Sequence, residues 1–197
     1  MNILIIAGGT GGHVYPALSI AKEFKNQENS ISWIGKEDSL EARISIDEKF
    51  LFYPIKSQGF LGKGFFRKMV SLFFFFIALI KSIFLLNRIK PEIIISTGGY
   101  VSLAPSFIGS LFCPLFIHEQ NSIAGLTNKI LHRFSSLTFE AFPGTFRSLE
   151  HKVVCVGNPV REDFSQITVN NKIDPSRFKI LVLGGSQGSK QINDILT

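Results

Sequence analysis

The chain has 197 residues, 45% of them hydrophobic and 18% charged. That length holds one full α/β domain but not two large ones, and that composition excludes a disordered chain. The net charge of +6 is local: Lys56, Lys63, Arg67, Lys68, Lys81, Arg88 and Lys90 lie between Pro54 and Pro91 with no acid among them, and the remainder is near neutral, a stripe that suits either a nucleic-acid binder or a protein lying on an anionic membrane.

Residues 2–7 (NILIIA) read as a strand. No basic segment precedes this run and no small-residue cleavage site follows it, so a signal peptide is not expected. A helix is predicted at 14–25, a strand at 30–35, a helix at 39–46 and a strand at 51–55. A basic, glycine-containing loop at 56–64 leads into a long helix over 65–88. Inside it, MVSLFFFFIALIKSIFLL (69–86) is the longest apolar run; it is at the lower limit of the roughly 20 residues a bilayer requires, and Lys81 interrupts it, so it reads as non-spanning. Strands follow at 92–96, 115–118, 138–140 and 153–156, with a helix at 101–111 that places Pro105 in its first turn. The alternation predicts a Rossmann-like α/β fold, a parallel sheet with helices on both faces and ligands at the carboxyl ends of its strands. Cys113 and Cys155 each follow an apolar run and form no CxxC pair, so they are expected to be buried free thiols, without a disulfide or a metal site.

Residues 3–12 (ILIIAGGTGG) and 180–188 (ILVLGGSQG) repeat one design, an apolar strand running into a Gly-Gly-Ser/Thr loop. Two similar domains are therefore expected. The first covers 1–161, a polar linker 162–178, and 179–197 is the truncated start of the second.

Five polar loops carry the chemistry. Gly8-Gly9-Thr10-Gly11-Gly12-His13 lies between a strand and a helix, where backbone N–H groups suit a diphosphate; the same glycines equally suit a tight strand–helix turn. The third glycine of a dinucleotide fingerprint would fall on Val14, and no acid ends the second strand, which disfavours a nicotinamide enzyme. Ser96-Thr97-Gly98-Gly99-Tyr100 repeats the arrangement, and His118-Glu119-Gln120-Asn121 follows an apolar strand as a site rim would. Gly157-Asn158-Pro159-Val160-Arg161 offers a cation for a phosphate or sugar, or an ordinary surface charge. Gly184-Gly185-Ser186-Gln187-Gly188 is the fifth. His132 and His151 read as structural. No cluster has metal-ligand spacing, and the nucleic-acid modules legible by pattern are absent.

GGTGGHVYPAL, STGGYVS, HEQNSIAGLTNK, VGNPVR and GGSQGSKQIN, in this order, closely resemble the undecaprenyl-diphosphate-muramoylpentapeptide β-N-acetylglucosaminyltransferase family, glycosyltransferase family 28, from Met1 to about Asp194. The resemblance implies the GT-B architecture, two Rossmann-like domains with a cleft between them, in a molecule roughly twice this length. It implies inverting transfer of N-acetylglucosamine from UDP-N-acetylglucosamine to the muramyl 4-hydroxyl of lipid I, giving lipid II in peptidoglycan synthesis, at the cytoplasmic face of the bacterial plasma membrane. No cofactor and no nucleic acid are implied; the partners are the donor, lipid I and an anionic membrane surface. Thr10, Gly11 and Gly12 match the loop touching donor or acceptor diphosphate, and Asn121, Arg161 and Ser186 match donor contacts. His13, Tyr100, His118 and Glu119 match residues near the acceptor or in catalysis, with His13 the expected base and Glu119 its rival. Because most donor contacts would lie beyond Thr197, the 197 residues alone are expected to be inactive. Two other readings use the same residues: an enzyme like UDP-N-acetylglucosamine 2-epimerase, told apart by needing no lipid acceptor, and a non-catalytic remnant that holds lipid I.

Overall fold

The computed structural model describes residues 1–56, 65–147, 149–160, 182 and 194–195. The chain divides into two compact units, Met1–Glu162 and Asp163–Thr197. The expected linker and nearly all of the expected second-domain opening lie outside the described residues, as does 57–64 of the basic loop.

Unit 1 runs β1 (Asn2–Ala7), α1 (Gly11–Asn26), β2 (Ser30–Gly35), α2 (Leu40–Asp47), β3 (Leu51–Pro54), α3 (Phe65–Ile89), β4 (Ile93–Gly98), a 3-10 turn (Tyr100–Ser102), α4 (Leu103–Gly109), β5 (Leu115–Glu119), α5 (Leu126–Leu131), β6 (Leu137–Glu140) and β7 (Val153–Cys155). The seven strands form one parallel sheet in the order β3-β2-β1-β4-β5-β6-β7. The chain winds outward from β1 to β3, returns through α3 to β4 beside β1, and winds outward again, so connections on the two sides of the β1–β4 junction diverge and leave a crevice there. Right-handed crossovers set α1 and α2 on one face and α3, α4 and α5 on the other.

Both faces are buried, which explains the unbroken apolar strands. Ile3, Ile5, Ala7 and Trp33 pack with Val14, Ala17 and Ala21 of α1. Leu4, Ile6, Ile94 and Ile117 pack on the opposite face with Ala78, Leu86 and Leu131. Trp33 satisfies its indole N–H on the Ala7 carbonyl at 3.1 Å, tying β2 to the end of β1.

Three features depart from expectation. Helix α1 starts at Gly11 rather than 14, because two glycines hide a helical turn from any propensity argument. Helix α5 is six residues long, too short for an apolar period to show. The cysteines are free but not buried: Cys113 is half-buried, and Cys155 is exposed on the edge strand β7. Desolvation still pushes the Cys113 thiol up from its ordinary range.

Helix α3 reverses the usual amphipathic order. Its buried stripe uses small side chains, Ser71, Ala78 and Ser82, before Leu86 and Ile89, while Phe73, Phe76, Ile80 and Phe84 are 56–70% exposed. By length and composition the segment Met69–Ile89, with mean hydropathy 2.5, is sufficient to cross a membrane. Its inner stripe is nonetheless packed on the sheet core and on α4.

Candidate functional site

The site lies at the carboxyl ends of β1, β4 and β5, around the first turn of α1. Thr10 caps that helix by backbone only: His13 and Val14 donate their N–H groups to its carbonyl at 3.0 and 3.2 Å, and its side chain makes no cap hydrogen bond. The amides of Gly11 and Gly12 precede any possible intrahelical acceptor and lie at the positive end of the helix dipole. The first turn carries no acidic side chain to compete for them, so this end of α1 is suited to an anion.

The second glycine loop supports the first from below. Gly99, at φ +90°, lies so close to Gly8 that a Cβ built on it would fall 2.0 Å from the Gly8 carbonyl oxygen. Tyr100 follows, with its ring edge against Gly9.

A β-bulge fixes His13. The pairing of β1 with β4 passes from Ile6↔Ser96 to Ala7↔Gly98, so Thr97 has no partner on β1. Bulges of this kind re-aim groups out of the ladder. Here Thr97 Oγ1 donates to the His13 carbonyl at 2.8 Å, and the Thr97 carbonyl lies 2.9 Å from His13 Nδ1. A carbonyl only accepts, so Nδ1 carries the proton, and the neutral ring presents Nε2 as an acceptor.

Strand β5 sends alternate side chains to opposite faces. His118 points to the α1 side, beside a hollow of about 420 Å³ lined by Ile20, Phe24, Ile95, Phe116, Phe139 and Val156. It is only 2% exposed. Burial pushes its imidazole below the usual range, against the smaller opposing pulls of the Gly157 carbonyl and Glu119. Glu119 points to the α5 side and is fully buried. Its Oε1 accepts from the Asn121 amide and Asn121 Nδ2, both at 3.0 Å, and its Oε2 accepts from the Gly125 amide at 3.0 Å and Asn128 Nδ2 at 2.9 Å. Both carboxylate oxygens thus have their acceptor positions filled.

The structure therefore brings the loop that carries Gly11, Gly12 and His13 against the loop that carries Thr97 and Tyr100, at the ends of β1 and β4. It places His118 and Glu119 buried at the end of β5 and Asn121 exposed after them. Arg161 and Ser186 lie outside the described residues. His132 is internal, bonded to Thr138 Oγ1 at 2.7 Å and packed at a tilt against the Phe146 ring, and His151 is exposed. Sequence reasoning named Thr97 and Gln120 only as members of candidate loops and Asn128 only within a matched motif, and gave none of them a role. Asn128 holds both the Glu119 carboxylate and the His118 carbonyl; a polar residue seven positions after Asn121 in a short apolar helix was the available signal.

Residues 3–139 match the glycosyltransferase family 28 N-terminal domain. The chain is 42% identical over 207 aligned residues to the UDP-N-acetylglucosamine–N-acetylmuramyl-(pentapeptide) pyrophosphoryl-undecaprenol N-acetylglucosamine transferase of Francisella tularensis, covering 99% of this chain and 55% of that protein. The crystal structure of Acinetobacter baumannii MurG superposes with a TM-score of 0.70 at 34% identity, over 81% of this chain and 46% of that one. A UDP-N-acetylglucosamine 2-epimerase structure superposes with a TM-score of 0.59 at 10% identity, over 79% of this chain and 48% of that one; this is a likeness of fold alone. The chain spans about half the length of the curated relatives it matches.

Proposed function

Because the chain belongs to glycosyltransferase family 28, we propose that it forms the acceptor-side half of an inverting N-acetylglucosaminyltransferase that converts lipid I to lipid II. In this reading the Gly11 and Gly12 amides, with Thr10 beside them, neutralise a diphosphate at the α1 N-terminus. The muramyl 4-hydroxyl gives its proton to His13 Nε2 as its oxygen attacks the anomeric carbon of N-acetylglucosamine, and UDP leaves with the bonding pair. Tyr100 lines the acceptor side. Asn121, Arg161 and Ser186 serve the donor, UDP-N-acetylglucosamine.

The observation that carries this reading is the bond from His13 Nδ1 to the Thr97 carbonyl at 2.9 Å, which leaves Nε2 as an acceptor nitrogen in the first turn of α1, next to the glycine loop in sequence. It favours His13 over Glu119 as the base, since Glu119 is fully buried and its oxygens already hold four N–H donors. We further propose that α3 rests on the anionic cytoplasmic face of the membrane without crossing it. Its exposed rings support docking, and its packed inner stripe argues against a crossing that would strip the sheet.

The test is His13→Ala in a protein that joins this unit to a donor-binding domain, assayed with UDP-N-acetylglucosamine and a lipid I analogue. Turnover is expected to fall roughly 100-fold or more, the scale of acid–base help, with the fold kept. Near-normal turnover would place the base elsewhere.

A further inference from the structure

His13 and His118 are separated by one side chain, Gln120, and the hydrogen bonds through it run in one direction. At the inner end, His118 Nε2 lies 2.9 Å from the Gly157 carbonyl. That carbonyl accepts only, so Nε2 bears the proton and Nδ1 is bare in the neutral ring. Gln120 Nε2 lies 3.0 Å from the His118 carbonyl and 3.1 Å from His118 Nδ1. Both are acceptors, which fixes the amide end that carries hydrogens. The other end, Oε1, then faces His13 Nδ1 at 3.2 Å and accepts from it alongside the Thr97 carbonyl. Every donor in the series meets an acceptor, from His13 Nδ1–H through the carboxamide and His118 to Gly157. The backbone anchors it as well, since Asn158 Nδ2 donates to the Gln120 carbonyl at 3.2 Å.

We propose that Gln120 is a positioning residue that couples the ring states of the two histidines, reinforcing the Nδ1–H tautomer that the Thr97 carbonyl favours in His13 and the Nε2–H tautomer that the Gly157 carbonyl favours in His118. A carboxamide bridges the pair in only one orientation, because it has one acceptor end and one donor end. If its ends exchanged, an N–H would face the His13 N–H and an oxygen would face a bare His118 nitrogen. Gln120 is 8% exposed and His118 is 2% exposed, so water does not readily substitute for either end. The coupling extends from β5 and the segment after β7 to the first turn of α1, and so makes the reactive edge of His13 depend on packing that the acceptor does not reach. This inference rests on the reading of His13 as the base, but its ring states are measured without any turnover.

The experiment is two-bond proton–nitrogen correlation on the ¹⁵N-labelled 197-residue chain, at a pH well above the ordinary imidazole range. The expected result is a single Nδ1–H tautomer for His13 and a single Nε2–H tautomer for His118. In Gln120→Leu the Thr97 and Gly157 carbonyls remain as the one anchor of each ring, and His13 is expected to pass from a single tautomer to a mixture that is still mostly Nδ1–H. In Gln120→Glu the acceptor toward His13 remains and the donor toward His118 does not, so His13 is expected to keep its tautomer while the His118 Nδ1 takes up a proton. A role in packing alone would shift neither ring. An Nε2–H His13 in the unmodified chain, or wild-type ring states in Gln120→Leu, would overturn the proposal, and the first measurement needs no variant to fold. Should the ring states be as expected while His13→Ala retains turnover, the base assignment fails and the coupling stands.

Discussion

Glu119 and His118 show how one strand end gives adjacent polar residues different tasks. Truncating Glu119 to Ala leaves four N–H donors, from Asn121, Gly125 and Asn128, without their acceptor. Buried donors left unpaired cost about 1–3 kcal/mol each when water cannot reach them; Asn121 and Gly125 are exposed enough to recover theirs, and the Asn128 donor is buried. Glu119→Ala is therefore expected to lower unfolding free energy by about 1–3 kcal/mol, read by urea denaturation; a change below about 0.5 kcal/mol, typical of a surface site, would remove the clamp from the argument. His118 carries a pH signature. Its folded pKa lies below the unfolded value, chiefly through burial, so the unfolded chain binds the proton first as pH falls. The associated stability is complete above about pH 6.5, the unfolded value, and is lost as pH drops toward the folded one. Denaturation midpoints at about pH 8 and about pH 5 should fall further in the wild type than in His118→Leu, which lacks this component; equal falls would contradict it. At this scale the sequence made His13 and Tyr100 legible, since each follows glycines at a strand end. The bridging role of Gln120 was not, because its partner His13 is 107 positions away and no local pattern encodes that distance.

The two glycine loops work as a pair of elements. Gly99 is required twice, by a left-handed φ of +90° and by the Gly8 carbonyl 2.0 Å from where a Cβ would stand. Neither demand is relieved by a side-chain rotation, since the obstacle is backbone. Gly99→Ala is expected to destabilise the unit by about 2–4 kcal/mol, adding left-handed strain to overpacking, and to weaken anion binding at α1 by displacing its loop. Gly12→Ala is the control: a Cβ there meets only the Thr10 hydroxyl, at 3.7 Å, so stability should change little. Thermal unfolding of both variants checks this, and equal melting temperatures would refute the paired-loop account. The strands were legible because apolar runs of this length between glycines and prolines have few other uses. The bulge at Thr97 was not, since it depends on how β4 meets β1 rather than on its own residues. Helix α5 was hidden for a related reason: Asn128 ties it to the His118 and Glu119 strand end by hydrogen bonds that no helical period announces.

For the molecule as a whole, exposed charge and exposed apolar surface meet in and beside α3. Lys56, Lys81, Arg88 and Lys90 are exposed, and the outer stripe of α3 leaves Phe73, Phe76 and Phe84 at 63%, 56% and 70% exposure. A soluble helix of this composition would turn those rings inward; instead the small residues Ser71, Ala78 and Ser82 face the core, which lets α3 lie close to the sheet with its rings outward. Each basic group near an anionic leaflet is worth about 1 kcal/mol and each half-inserted ring a little over 1 kcal/mol. The chain is therefore expected to sediment with vesicles containing phosphatidylserine, more weakly with neutral vesicles, and less as salt rises over a Debye length of about 10 Å at 0.1 M. Replacing Phe73, Phe76 and Phe84 by Ser should weaken binding by about a hundredfold, tenfold for every 1.4 kcal/mol. Because these rings leave the core untouched, the triple variant should keep its unfolding free energy. Binding indifferent to lipid charge and to the three rings would mean that the outer stripe meets a protein surface and not a bilayer.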